Sequence, residues 1–108
     1  MGKFVVSTRT NGDFQFNLHA ANGQIILSSQ GYSSKANCLN GVESVKKNAQ
    51  ILSQFEKNKS VNEKFYFNLK ATNGQIIGTS QMYASQAGCD NGIASVQENA
   101  PDAEVVEQ

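Results

Sequence analysis

One histidine, two cysteines, no net charge and no long apolar run leave the sequence short of most features that announce a chemistry. No stretch approaches the roughly 20 apolar residues that cross a bilayer, and the amino end, MGKFVVSTRT, has neither the apolar stretch nor the cleavage site of a secretory signal. A soluble cytoplasmic protein without membrane contact is the expectation. Met1-Gly2 opens like a myristoylation signal, but Val6 stands where that signal needs Ser or Thr. Cys38 and Cys89 fit no CxxC spacing, so they read as small buried core residues, and a bridge between them would require the fold to bring them together. The carboxylates are scattered without metal-loop or paired-acid spacing, and neither GxxxxGK[ST] nor GxGxxG occurs. Familiar metal, nucleotide and cofactor sites are therefore not expected. His19 has no acid or nucleophile beside it and reads as a surface strand residue.

What the sequence does have is one motif written twice. FQFNLHAANGQII at Phe14 to Ile26 returns as FYFNLKATNGQII at Phe65 to Ile77, and at an offset of 51 residues Phe14–Ala49 matches Phe65–Ala100 with 22 of 36 positions identical. One domain spanning residues 1–108 is expected, built from internal repeats at about 4–54 and 55–105. Two copies are too few for a solenoid, so a closed pair is the better reading.

In each copy Phe, Phe, Leu and Ala alternate with polar residues, the period of a half-buried strand. Asn22-Gly23 and Asn73-Gly74 follow directly, and this dipeptide favours a two-residue type I′ hairpin. Such a turn puts Ile25 and Leu27 on the Phe face and Ile26 beside His19 on the other. An earlier hairpin at Asn11-Gly12 turns Val5 inward with a two-residue loop, or Phe4 and Val6 with a three-residue loop; the second buries more and is favoured. Cys38, Val42, Val45 and Ala49 then recur at helical spacing, predicting helices over about 34–48 and 85–99, capped by Ser33 or Ser34 in the first. Gly41 and Gly92 lie on the buried stripe, where glycine costs about 1 kcal/mol relative to alanine unless helix and sheet must approach closely. Strands are also predicted near 51–57 and 104–107, so a strand follows each helix.

The paired strings FNLHAANGQIILSSQGYSSKANCLNGVESVKKNA and FYFNLKATNGQIIGTSQMYASQAGCDNGIASVQENA resemble the YegP-like family of small bacterial proteins of unknown function, over nearly the whole chain. The resemblance implies an α+β fold: tandem β-β-β-α units forming one antiparallel sheet, two helices on one face, and the strand after each helix exchanged into the other unit. It further implies a monomer with pseudo-two-fold symmetry. No activity, cofactor or catalytic residue comes with it.

A noncatalytic binding or interaction domain is therefore the functional expectation. The face of the sheet away from the helices is expected to expose Tyr66, Asn68, Lys70 and Ile77 from one copy with His19 and Ile26 from the other. An aromatic ring among amides and an ammonium loosely resembles surfaces that stack single-stranded nucleic acid. Ser34 and Lys35, at the start of the first helix, form a candidate anion site. A protein partner is the rival, held at a sheet edge or by Lys46, Lys47, Lys57, Lys59 and Lys64; all nine basic residues lie in 1–70, against five acids and no base in 71–108. An enzyme site assembled from distant residues is the third alternative.

Overall fold

In the computed structural model, which describes residues 2–108, the period-two stretches form strands and the stretches of helical period form helices. The first copy supplies β1 (Lys3–Thr8), β2 (Phe14–His19), β3 (Ile25–Ser28) and α1 (Lys35–Asn48). The second supplies β4 (Phe55–Lys59), β5 (Phe65–Lys70), β6 (Ile76–Thr79) and α2 (Gln86–Asn99), followed by β7 (Glu104–Glu107). All seven strands share one sheet in the order β4-β5-β6-β3-β2-β1-β7. The strand after each helix joins the other unit, β4 beyond β5 and β7 beyond β1. Every pairing is antiparallel except the last: β7 runs parallel to β1, so the sheet is mixed.

The units meet where β3 and β6 share a single bridge, Ser28 to Thr79. These residues are 51 apart, the repeat offset itself, so each is the counterpart of its own partner. Antiparallel pairing of equivalent residues is what a two-fold axis through the sheet produces. Beside that axis the symmetry breaks, because fully buried Leu27 corresponds to Gly78. A Cβ on Gly78 would stand 2.6 Å from Leu27 Cγ. Leucine in both copies would claim one volume twice, whereas leucine against glycine fills it once.

The first hairpin takes the three-residue loop: Arg9 N donates to the Asp13 carbonyl, Gly12 lies at φ +90, and Phe4 and Val6 are buried. In the second copy Glu63 holds the place of Gly12 at φ 63, the one non-glycine residue with positive φ among the described residues. The Asn-Gly hairpins differ from the expected type I′ turn. Ala20 N donates to Gln24 O and Gly23 N to Ala20 O, giving three loop residues in which only Gly23, at φ +87, is left-handed. Asn22 instead accepts the Gln24 N–H on its side-chain oxygen at 3.0 Å.

That extra loop residue is absorbed as a bulge. Leu18 still faces Leu27, but His19 faces Ile25, leaving Ile26 as the inserted residue. The strict alternation that placed Ile26 and Ile77 on the open face therefore fails, and it is Ile25, not Ile26, that stands beside His19. Ile26 and Ile77 lie in the core at 6% and 8% exposure, next to Leu27 and Gly78 in sequence.

Both helices lie on the Phe face. Ser34 and Ser85 cap them, their hydroxyls accepting from Asn37 N and Gly88 N at 3.1 and 3.0 Å. The stripes Cys38, Val42, Val45, Ala49 and Cys89, Ile93, Val96, Ala100 are buried. Helix α1 crosses β2, β5 and β6, while α2 crosses β3 and β5, so each helix rests on both units. Gly41 does answer to close packing: a Cβ there would stand 2.5 Å from Tyr32 Oη and 3.0 Å from Phe16 Cε2.

Two stability measurements follow from this packing. Gly78→Leu should cost about 2–3 kcal/mol in urea unfolding by overfilling the seam, and Leu27→Gly added to it should recover at least half by moving the side chain across the axis. Simple additivity of the two losses would contradict this account of the seam. Glu63→Gly should raise stability by about 1 kcal/mol, because it releases a left-handed residue whose exposed pairing with Lys59 contributes little.

A candidate pair of binding grooves

Each copy tethers its chain tightly after the third strand. Ser29 Oγ accepts from Phe16 N at 2.9 Å and donates to the Gln30 carbonyl at 2.8 Å, and two residues later Phe14 and Tyr32 exchange backbone bonds of 2.7 Å each. Ser80, Gln81, Phe65 and Tyr83 repeat this arrangement. Gln30 is thus pinned between two anchors with its side chain exposed, and Tyr32 is laid over α1. The Tyr32 ring stacks on Phe16 with centroids 6.2 Å apart, and Tyr83 on Phe67 at 6.4 Å. Because glycine occupies 41 and 92, each ring lies against its helix, where an alanine would meet it.

Two grooves result, both on seams between the units. The first, about 680 Å³, has Gln30, Tyr32 and Asn40 on one side and Gln75, Ile76 and Ile77 on the other. The second, about 560 Å³, has Gln81 and Tyr83 opposite Gln24, Ile25 and Ile26, with His19 at its margin. The offset of 51 carries Gln30, Tyr32, Gln75, Ile76 and Ile77 of the first into Gln81, Tyr83, Gln24, Ile25 and Ile26 of the second, while Asn40 and His19 each line one groove without their counterparts. Both volumes fall within the roughly 300–1,000 Å³ of small-molecule sites.

None of these groove residues except His19 and the two isoleucines was singled out by motif. Their signal lay in the repeat itself. Asn22, Gly23, Gln24, Gln30, Ala36 and Asn40 are exposed and identical to their exposed counterparts, whereas Lys35, Glu43 and Lys47 face the same solvent and become Gln86, Ala94 and Glu98. Asn22 and Gly23 shape the turn. Among the described residues the fold gives Gln30, Gln75, Gln81, Asn40 and Asn91 no side-chain hydrogen bond, and Gln24 only a 3.5 Å contact from Asn22.

The sheet-face residues are placed otherwise. Tyr66, Asn68 and Lys70 do share the face away from the helices, but Asn68 is 7% exposed and accepts from the Thr79 hydroxyl at 2.8 Å. Lys70 Nζ lies 2.8 Å from Glu56 Oε2. His19 Nδ1 donates to the Gly23 carbonyl at 3.1 Å, two strands and a seam away from Lys70. Ile26 and Ile77 join the grooves from the core, not the open face. At the candidate anion site, the Ser34 oxygen is taken by the helix cap and Lys35 pairs with Glu107 on β7. Lys57 pairs with Asp90 at 2.8 Å, so the basic first part of the chain and the acidic last part are stitched together across the fold. Five of the nine basic side chains are in ion pairs.

Electrostatics elsewhere keep reactive groups protonated. Cys38 and Cys89 are free thiols, fully buried, and burial pushes both up from their ordinary value. Desolvation, with Cys38 and Cys89 nearby, likewise raises the phenols of Tyr32 and Tyr83. Among the described residues no three His, Cys, Asp or Glu side chains gather as a metal site, and no helix is long and apolar enough to cross a membrane.

With this geometry, the model of the domain of unknown function DUF1508 matches the chain twice, at residues 10–56 and 60–107. The chain belongs to that family. Its relatives include the UPF0339 protein in the ptx operon 5′ region of Stutzerimonas stutzeri, 56% identical over 98% of this chain and 96% of its own length. The solution structure of a UPF0339 protein from Shewanella oneidensis superposes with a TM-score of 0.93 at 47% identity, covering 98% of this chain and 90% of that one. The solution structure of YegP from Escherichia coli, a protein of unknown function, gives 0.95 at 44% identity, covering 99% and 92%. The DUF1508 fold is thus this chain's fold, and the family carries no stated activity.

The Glu56–Lys70 pair sets an acid response. Lys70, hydrogen-bonded to Glu56, holds that carboxyl below its ordinary value near 4.5, and Lys57 does the same for Asp90. A folded-state pKa below the unfolded one adds stability above the unfolded value and loses it as pH falls through the folded value. Unfolding midpoints should therefore drop as pH falls below about 4.5, and the drop should be shallower in Glu56→Gln. An equal slope in both proteins would show that this pair has no part in it.

Proposed function

We propose that this chain is a noncatalytic binding domain whose ligand sits in the two seam grooves. The observation that carries the reading is the pair of exposed glutamines, Gln24/Gln75 and Gln30/Gln81, unchanged between copies in which exposed Lys35, Glu43 and Lys47 became Gln86, Ala94 and Glu98, and given by the fold, among the described residues, no side-chain hydrogen bond beyond the 3.5 Å contact at Gln24. A surface kept twice without a folding task is best accounted for by contact with something else. Neither lining includes an Asp, Glu, Lys or Arg, so the ligand is neutral: a charge drawn in there would lose water without gaining a carboxylate, ammonium or guanidinium partner.

Nucleic-acid or anion binding ranks lower because it depends on Lys70 and Lys35, whose charges face Glu56 and Glu107. Docking through the lysines of the first part of the chain is weakened in the same way by Asp90, Glu43 and Glu63. Catalysis would need an activated group, and the buried thiols and phenols are shifted away from ionisation. A monomer is part of the reading, motivated by two units that satisfy each other within one chain.

Amide shift mapping tests the proposal with a panel of neutral probes (nucleosides, capped peptides and oligosaccharides) beside short DNA and RNA. Binding should move the side-chain amides of Gln24, Gln30, Gln75 and Gln81. Shifts confined to Tyr66 and Lys70 with oligonucleotides would replace this reading with the sheet-face one.

A further inference from the structure

We infer that the two grooves are duplicate sites for a neutral saccharide, and that they bridge two antiparallel glycan segments rather than clamp one straight chain; this rests on the binding reading above and adds ligand class and geometry. Three observations lead there.

The first concerns hydrogen-bonding character. Apart from His19 at the margin of the second groove, the polar side chains of the linings are carboxamides and hydroxyls, and each such group both donates and accepts. Sugar hydroxyls have the same double character and need partners that supply both halves. Ala71, Ile76 and Ile77 add an apolar surface for the C–H face of a sugar ring.

The second is repetition. The same Gln, Tyr, Gln, Ile, Ile set is presented twice, which suits a ligand that repeats its own unit. A nucleic-acid chain repeats, but it delivers a phosphate with every unit, and neither lining contains a lysine or arginine to receive it. A polypeptide of ordinary sequence brings a different side chain at each step.

The third is direction. The two-fold relation runs through the Ser28–Thr79 bridge, perpendicular to the sheet, and it reverses any direction lying along the sheet. A glycan has a reducing and a non-reducing end. One straight chain cannot enter both grooves in the same pose, so two segments of opposite direction are held.

Titration of labelled protein with linear three-unit and six-unit oligomers of glucose and of N-acetylglucosamine tests this, with adenosine, uridine and a capped glycine tripeptide as comparators. The expected result is binding of two trisaccharides per protein with shifts at Gln30/Gln75 and Gln24/Gln81, and six-unit chains binding within about threefold of the same affinity per site, because spanning brings no avidity. Gln30→Ala/Gln75→Ala should leave one site with unchanged melting, since both residues are exposed. A more than tenfold gain from lengthening the chain would overturn the bridging geometry, and a single occupied groove would overturn duplication. Shifts at these amides with nucleosides or peptide and with no saccharide would overturn the ligand class while leaving the grooves as sites. Silence at both grooves with every probe would remove the binding reading itself.

Discussion

The seam between β3 and β6 is held by one backbone bridge, so the side chains around it must do what a full ladder does elsewhere. Leu27 does most of this, filling the space that Gly78 leaves, while α1 and α2 each reach across to the opposite unit and bury Ile77 and Ile26. Because the grooves lie along this same seam, their walls come from different copies: a tyrosine and a glutamine from one, the Asn-Gly-Gln-Ile-Ile hairpin from the other. Neither copy alone contains a groove. The site and the closure of the fold are two aspects of one packing solution.

Local geometry then fixes what the grooves present. The bulge after Leu18 breaks the two-residue period, so Ile26 turns into the core and Gln24 stays out at the rim. Ser29 replaces a strand bond with a hydroxyl and lets the chain leave the sheet at Gln30 before returning at Tyr32. Substituting a side chain for a ladder bond costs little here because the hydroxyl satisfies both Phe16 N and the Gln30 carbonyl.

Elements with a clear period were legible from the residues alone. Both helices, the cap of the first to within Ser33 or Ser34, the inward Phe4, Phe16, Leu18 set and the loop length of the first hairpin could be read because burial and period agree there. The Asn-Gly turns misled because that dipeptide also suits a three-residue loop with one left-handed glycine, and a one-residue change in loop length reassigns every following side chain. Hence Ile25 and Ile26 were misplaced, along with Ile77. The direction of β7 was beyond reach, since a four-residue strand pairs either way and its neighbour lies about a hundred residues earlier. Ion pairs such as Lys35–Glu107 were hidden for the same reason. The grooves were half legible: the unchanged glutamines stood in the alignment of the copies, but only the seam showed that they face one another.

The parallel pairing of β7 with β1 has a consequence for how the protein is made. β1 leaves the ribosome about a hundred residues before β7, and its outer edge, KFVVST, stays uncovered until residues 104–107 arrive. During synthesis a bare, β-branched strand edge is therefore exposed, the type of surface that recruits a second chain. A ribosome that stalls, or a protease that clips, before Glu104 would release a body with its sheet nearly complete and one edge open to its neighbours.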